Sequence, residues 1–122
     1  MPKVLIIDDE KPIRQMLRTL FEKECFTVFD APNGDKGFNL FKEKQPDIII
    51  LDMLMPEKDG VEALNLIRGI SKEVKIIAIS GGGVVNPDVY LNLAKKLGCD
   101  ETFMKPVEKD KLLKAVKSLL FS

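Results

Sequence analysis

The chain has no histidine among its 122 residues and only two cysteines, Cys25 and Cys99, which lie far apart in the sequence. Cysteine and histidine are the usual ligands of structural zinc, and they pair in thiol nucleophiles. The composition therefore excludes a Cys/His zinc site and a Cys–His catalytic pair. We expect both cysteines to be reduced, inert and packed.

An excess of charge of either sign is also absent, because 19 lysine and arginine residues balance 19 aspartate and glutamate residues. A neutral chain has no overall field that attracts nucleic acid or an anionic membrane, so we expect no direct nucleic-acid binding and no membrane partner. No apolar stretch approaches the length of a membrane span, and no signal-peptide pattern precedes the first aliphatic run. These absences predict a cytoplasmic protein.

What the chain does contain is a series of short aliphatic runs, each of which ends in a polar side chain. Runs of this length and composition are typical of buried parallel strands, and the segments between them have helical periodicity. Five strands alternating with five helices predict one doubly wound α/β domain over residues 1–122. The polar residues that end the runs are Asp8, Asp9, Asp52, Ser80 and Lys105.

Two of the predicted helices have clear boundaries. The first shows apolar residues on one face from residue 12 to 21. The fourth begins with Asn86 as N-cap and Pro87 in the first turn, and ends at Gly98. Its periodicity predicts that Leu93, Ala94 and Leu97 are buried.

The polar residues at the strand ends should meet, because the carboxyl ends of parallel strands line one crevice. Three carboxylates, Asp8, Asp9 and Asp52, repel one another there unless a cation joins them, and hard oxygen ligands suit Mg²⁺. A carboxylate beside Mg²⁺ can attack a phosphoryl group while a lysine neutralises the phosphoryl oxygens. Asp52 is the acid placed to do this, with Lys105 as the lysine.

Two neighbours of these residues add detail. An X-Pro bond can be cis at modest cost, and a cis bond between Lys105 and Pro106 would point the ammonium into the crevice. Gly81, next to Ser80, has no side chain and leaves the phosphoryl position open to a bulky donor. Taken alone, the Lys105–Pro106 pair could be an ordinary strand end, and Gly81 could be an ordinary turn residue.

Four segments of the chain, in this order, resemble the signature segments of the receiver domain of bacterial two-component response regulators, the CheY-like family. They are Ile7-Asp8-Asp9-Glu10, the stretch from Leu51 to Gly60, Ile79-Ser80-Gly81 and Met104-Lys105-Pro106. The resemblance spans the whole chain and implies a flavodoxin-like fold with strand order 2-1-3-4-5.

The resemblance also implies individual roles. Asp52 resembles the phosphoacceptor, and Ser80 and Lys105 resemble the residues that bind the phosphoryl oxygens. The implied ligands of Mg²⁺ are Asp9 and Asp52 directly, the carbonyl of Leu54, and Asp8 through water.

The implied function is a signalling switch and not a metabolic enzyme. A receiver of this kind takes its phosphoryl group from a phosphohistidine of a sensor histidine kinase or a histidine phosphotransfer protein, and then changes its affinity for a downstream protein. The resemblance implies a monomer or a weak homodimer through the fourth helix, fifth strand and fifth helix. The chain ends with that helix, so we expect no effector domain.

The chain departs from the family at its output positions. Thr102 occupies the place of the usual strand-five tyrosine or phenylalanine, so we expect coupling to run instead through the loop that begins at Gly81 and Gly82. In this family the residues two after the phosphoacceptor and two after the hydroxyl commonly influence the hydrolytic water. Here they are Leu54 and Gly82, which predicts slow dephosphorylation.

The sequence leaves three alternative functions to consider. A haloacid-dehalogenase-type phosphatase would need an acid where this chain has Leu54. A flavodoxin-like electron carrier would need a phosphate-binding loop where the chain has Asp8, Asp9 and Glu10, which would repel the phosphate. The third, the receiver portion of a longer DNA-binding response regulator, depends on the full extent of the gene.

Overall fold

The aliphatic runs form five strands, each followed by a helix, in a computed structural model that describes residues 1–55, 60–81 and 87–121. The elements are β1 (Lys3–Ile7), α1 (Lys11–Lys23), β2 (Thr27–Ala31), α2 (Gly34–Lys44), β3 (Ile48–Asp52), α3 (Gly60–Ile70), β4 (Lys75–Ser80), α4 (Pro87–Lys96), β5 (Glu101–Met104) and α5 (Lys109–Phe121). The predicted N-cap Asn86 lies outside the described residues.

The sheet has the predicted order β2-β1-β3-β4-β5, and every pair of neighbouring strands is parallel. Its register decides where the polar residues lie. Ile7 is opposite Leu51 and Asp52 is opposite Ile79, so the chain leaves β1, β3 and β4 at nearly the same level. This arrangement confirms the doubly wound, flavodoxin-like fold and gathers the polar strand ends at its carboxyl edge.

Helices cover both faces of the sheet, so the central strands are buried on both sides. Alternate strand residues such as Ile7, Ile49 and Leu51 face one core cluster, which includes Leu64 of α3. Their neighbours, including Ile50, face the other cluster. The site at the ends of these strands therefore rests on elements that are packed on both faces.

Cys25 is exposed, so the expectation that both cysteines are packed is wrong for this residue. The helix α1 ends in a Schellman motif: Cys25 has a φ of 66°, its N–H donates to the carbonyl of Glu22, and the N–H of Phe26 donates to that of Phe21. The motif turns Cys25 outward while the ring of Phe26 packs against Phe21. Cys99 is partly buried and packs against the core, as expected.

The fourth helix confirms its predicted end and the predicted burial of Ala94 and, in part, of Leu97, and it corrects the prediction for Leu93. It ends at Gly98, where φ is 102°, with the N–H of Cys99 donating to the carbonyl of Ala94. Leu93, however, is exposed. The helix packs through Ala94, which is fully buried, and through Leu97, and this pair turns Leu93 about 100° away from the core. Among the described residues, no helix is long and apolar enough to cross a membrane.

Candidate functional site

Three carboxylates lie together at the carboxyl edge of the sheet. Asp8 and Asp9 follow β1, Asp52 ends β3, and a carboxylate oxygen of each lies within 4.8 Å of those of the other two. Asp8 and Asp52 are almost fully buried, at 2% and 3% exposure, whereas Asp9 is exposed. The cluster therefore has a buried floor and one side open to solvent.

The ammonium of Lys105 lies among these acids. Its Nζ is 3.2 Å from Oδ2 of Asp8, 3.3 Å from Oδ2 of Asp52 and 3.8 Å from Oε2 of Glu10. The Lys105–Pro106 peptide bond is cis, as its sequence allows. Glu10 was not predicted as part of this site, although its position directly after the acid pair is a signal that could have indicated it.

Backbone amides hold the other carboxylate oxygens. The N–H of Glu10 donates to Oδ1 of Asp8 at 2.8 Å, and the N–H of Leu54 donates to Oδ1 of Asp52 at 3.0 Å. Each acid thus bonds to the amide two residues further on, which is the local Asx geometry. As a result, the Oδ2 atoms of Asp8 and Asp52 both face Lys105.

One ammonium does not compensate this much negative charge. Burial, together with the charge of Asp8, raises the pKa of Asp52 to about 7 in spite of its bonds to Leu54 and Lys105. Burial also raises the pKa of Asp8. Burial alone would lower the pKa of Lys105, but the charges of Asp52 and Asp8 outweigh it and raise that pKa, so the lysine stays protonated.

This donor set fits a divalent cation. Carboxylates are the hard oxygen ligands that Mg²⁺ prefers, and the exposed position of Asp9 leaves room for the waters that Mg²⁺ retains. A cation would also favour the charged forms of the two buried acids, which burial opposes. The cluster of Asp8, Asp9 and Asp52 thus supports the prediction of a magnesium site.

Ser80 places a fully buried hydroxyl at the end of β4. Its Oγ has no hydrogen-bond partner within the described ranges of the chain. Buried hydroxyls are normally hydrogen-bonded, because leaving one unpaired costs about 1 to 3 kcal/mol. A buried hydroxyl in this condition, at the edge of the sheet that carries the acid cluster, can donate to a ligand.

Comparison with known proteins decides what kind of domain carries this site. Residues 4–117 match the family described as the response regulator receiver domain. The chain belongs to this family. Membership decides against the phosphatase and electron-carrier families considered from the sequence.

Two relatives of this receiver domain show the extent of the match. It is 33% identical over 118 residues to sporulation initiation phosphotransferase F of Bacillus subtilis, covering 97% of this chain and 93% of the relative. It is 30% identical over 118 residues to chemotaxis protein CheY of Halobacterium salinarum, covering 97% of this chain and 96% of the relative. The similarity therefore runs through nearly the whole length of all three chains.

Solved receiver structures have the same fold. A response regulator receiver domain protein from Clostridium thermocellum has a TM-score of 0.88 at 32% identity, covering 98% of this chain and 94% of that one. Chemotaxis protein CheY4 from Vibrio cholerae has a TM-score of 0.87 at 28% identity, covering 98% of this chain and 99% of that one.

Two positions of the receiver domain need glycine for structural reasons that the sequence did not indicate. Gly81 has a φ of 144°, and a Cβ there would lie 3.0 Å from the backbone nitrogen of Lys105. It thus lets β4 run close to Lys105, in addition to the open access predicted for it. A Cβ on Gly60 would overlap the carbonyl oxygen of Asp52. Gly60 therefore allows the start of α3 to lie against the end of β3.

The predicted output residues are only partly described. Thr102 is half-buried on β5 opposite Ala78, and Phe103 packs on the other face, against the cluster shared with α1 and α5. The two side chains thus lie on opposite faces, as strand alternation predicts. Gly82 lies outside the described residues, and the roles assigned to Gly81, Gly82 and Thr102 in output stay predictions.

Proposed function

We propose that this receiver domain accepts a phosphoryl group on Asp52 from a phosphohistidine of a sensor histidine kinase or a histidine phosphotransfer protein. The observation that carries the proposal is a buried carboxylate with an ammonium 3.3 Å away, at the same edge of the sheet as a buried hydroxyl without a partner among the described residues. These groups belong to Asp52, Lys105 and Ser80. Together they supply a nucleophile and two donors for the oxygens of a phosphoryl group.

The metal part of the proposal concerns the acid cluster. Asp9 and Asp52 would hold Mg²⁺ with the carbonyl of Leu54, and Asp8 would hold it through water. When bound, the cation supplies positive charge that neutralises the carboxylates and the phosphoryl oxygens during transfer. We assign no catalytic role to the two cysteines.

The transfer itself uses the carboxylate of Asp52. Its Oδ1 is held by the N–H of Leu54, so Oδ2 is the atom that would attack phosphorus. The new O–P bond forms as the P–N bond of the phosphohistidine breaks, and the donor imidazole leaves with the electron pair and takes up a proton. Lys105 would then pair with a phosphoryl oxygen in place of Oδ2, and the Ser80 hydroxyl would donate to another.

We further propose that the phosphorylated domain acts as a switch whose affinity for a downstream protein differs from that of the free form. The domain would catalyse only its own phosphorylation and dephosphorylation, in the cytoplasm, as a monomer or weak homodimer through α4, β5 and α5. The two curated relatives are named for sporulation and for chemotaxis. We therefore expect the downstream protein to differ from one family member to another.

The test is phosphorylation by a small donor. Wild type incubated with acetyl phosphate or phosphoramidate and Mg²⁺ should gain one phosphoryl group by intact-mass measurement, and Asp52→Asn should gain none. Asp47→Asn is the matched control, because Asp47 precedes the same strand at the opposite edge of the sheet, where it accepts from the N–H of Lys3. Phosphorylation that survives in Asp52→Asn, or a wild type that gains no phosphoryl group, contradicts the proposal.

A further inference from the structure

Arg14 in α1 makes an unusual contact with the turn that carries the acid pair. Its side chain is only 15% exposed, and its Nη1 donates to the backbone carbonyl of Asp8 at 2.8 Å. Its Nε lies 4.0 Å from Oδ1 of Asp30, which lies near the end of the adjoining strand β2. The guanidinium therefore joins three elements: β2, α1 and the turn that follows β1.

The negative charges in that turn repel one another, so its backbone needs contacts that fix it. Residues 8–10 are three consecutive acids, and the carboxylates of all three point toward Lys105 or toward the acid cluster. The backbone on the β2 side is fixed, since the N–H of Asp8 donates to the carbonyl of Ala31 at 3.1 Å. The carbonyl of Asp8 belongs to the peptide that leads to Asp9. Its orientation therefore sets the direction in which the Asp9 side chain leaves the turn.

We propose that Arg14 is a positioning residue of the metal site, which it serves by fixing the peptide between Asp8 and Asp9. The inference rests on the proposed function, because it concerns the cluster that would hold Mg²⁺. In this role Arg14 would touch neither the cation nor the phosphoryl group. Partners of this kind behind the ligands orient them, and losing one typically weakens metal binding by 10- to 100-fold.

The chain provides a matched control in Arg18, one turn further along the same helix. Its Nε lies 3.1 Å from Oδ2 of Asp30, so it shares that carboxylate with Arg14. Its Nη1 pairs with Glu22 of α1, at 3.2 Å. Substituting either arginine removes one positive charge beside Asp30, but only the substitution of Arg14 releases the carbonyl of Asp8.

The experiment measures the dissociation constant of Mg²⁺ by amide chemical shifts in wild type, Arg14→Ala and Arg18→Ala. Arg14→Ala should bind Mg²⁺ about tenfold more weakly. Arg18→Ala should stay within about twofold of wild type, because it loses only partly exposed ion pairs. Millimolar methylguanidinium should restore part of the lost affinity in Arg14→Ala, a rescue that a general loss of stability would not allow.

A second readout separates positioning from loss of the fold. The rate of phosphorylation by phosphoramidate should require more Mg²⁺ in Arg14→Ala but reach nearly the wild-type value when Mg²⁺ is saturating. If Arg14→Ala does not fold, Arg14→Lys, which keeps the charge but loses the planar fork, should show a smaller shift in the same direction. Unchanged Mg²⁺ affinity in the Arg14 variant, or equal losses in the Arg14 and Arg18 variants, would overturn the inference. A wild type that binds Mg²⁺ but accepts no phosphoryl group would instead contradict the proposed function alone.

Discussion

The two edges of the sheet differ in whether their polar residues have enough hydrogen-bond and charge partners. At the amino edge, Arg68 has a partner at every nitrogen of its guanidinium: it donates to the carbonyls of Gly98, Val74 and Ser71 at 2.9, 2.6 and 3.2 Å, and to Asp100 at 3.2 Å. The same carboxylate oxygen of Asp100 accepts the N–H of Ile76 at 2.8 Å. Here the polar groups satisfy one another and join α3, β4 and the segment before β5.

At the carboxyl edge, two buried acids share one lysine, and the hydroxyl of Ser80 has no partner in the described part of the chain. The raised pKa of Asp52 expresses the same deficit of compensating charge. Polar groups that satisfy one another stabilise the fold, whereas groups left without enough partners indicate where a ligand binds. This difference between the two edges predicts effects on the free energy of unfolding that can be measured without any activity.

The largest effect is expected at the amino edge. Arg68→Ala should lower the free energy of unfolding by about 3 kcal/mol, because it leaves several backbone carbonyls and Asp100 without their donor. Urea denaturation would measure this. The matched variant Arg18→Ala removes a more exposed arginine and should cost about 0.5 kcal/mol. Equal losses in the two variants would mean that the amino edge is no better satisfied than an ordinary helix surface.

A stabilising effect of intermediate size is expected at the carboxyl edge. The pKa of Asp52 is raised from 3.8 to about 7, so between these values the folded state keeps a proton that the unfolded state releases. Stability therefore falls as the pH rises through this window. Asp52→Asn removes the charge and, without Mg²⁺, should raise the free energy of unfolding by about 2 kcal/mol at about pH 8. The gain should disappear toward about pH 4. A gain that does not depend on pH would have a different cause.

The smallest effect is expected for Ser80→Ala. Its hydroxyl makes no hydrogen bond within the described residues, so the substitution removes the cost of an unpaired buried hydroxyl and should raise the free energy of unfolding by up to about 1 kcal/mol. Ser71→Ala at the amino edge is the matched control, since Oγ of Ser71 accepts the N–H groups of Glu73 and Val74 at 3.3 and 3.1 Å. That variant should lose about 1 kcal/mol. A reversed order of the two serines in thermal or urea denaturation would contradict the contrast between the edges.

Much of the fold and the site could be predicted because both follow from local patterns. Aliphatic runs define buried parallel strands, and a polar residue directly after such a run must lie at the carboxyl edge. That geometry alone brings Asp8, Asp52 and Ser80 together. The helix end at Gly98 could likewise be predicted, because glycine is suited to the positive φ at which helices often end.

What could not be predicted depends on how consecutive elements pack against each other and at what angle. The bond from Arg14 to the carbonyl of Asp8 requires the position of α1 over the turn, and the close approach of Gly60 to Asp52 requires that of α3. The spacing of Leu93, Ala94 and Leu97 fits one helical stripe, but only Ala94 and Leu97 pack against the core, and the exact angle at which α4 packs leaves Leu93 exposed. Periodicity locates a stripe only to within about one residue.

If the carboxyl edge is deficient in partners until a ligand binds, then ligands should reverse the order of stability of wild type and Asp52→Asn. The free energy of unfolding of both proteins would be measured at about pH 8, without ligands and then with saturating Mg²⁺ and beryllofluoride. We expect Asp52→Asn to be the more stable protein without ligands and wild type to be the more stable one with them. A wild type that is more stable in both conditions, or ligands that stabilise the two proteins equally, would mean that the carboxyl edge has no such deficit.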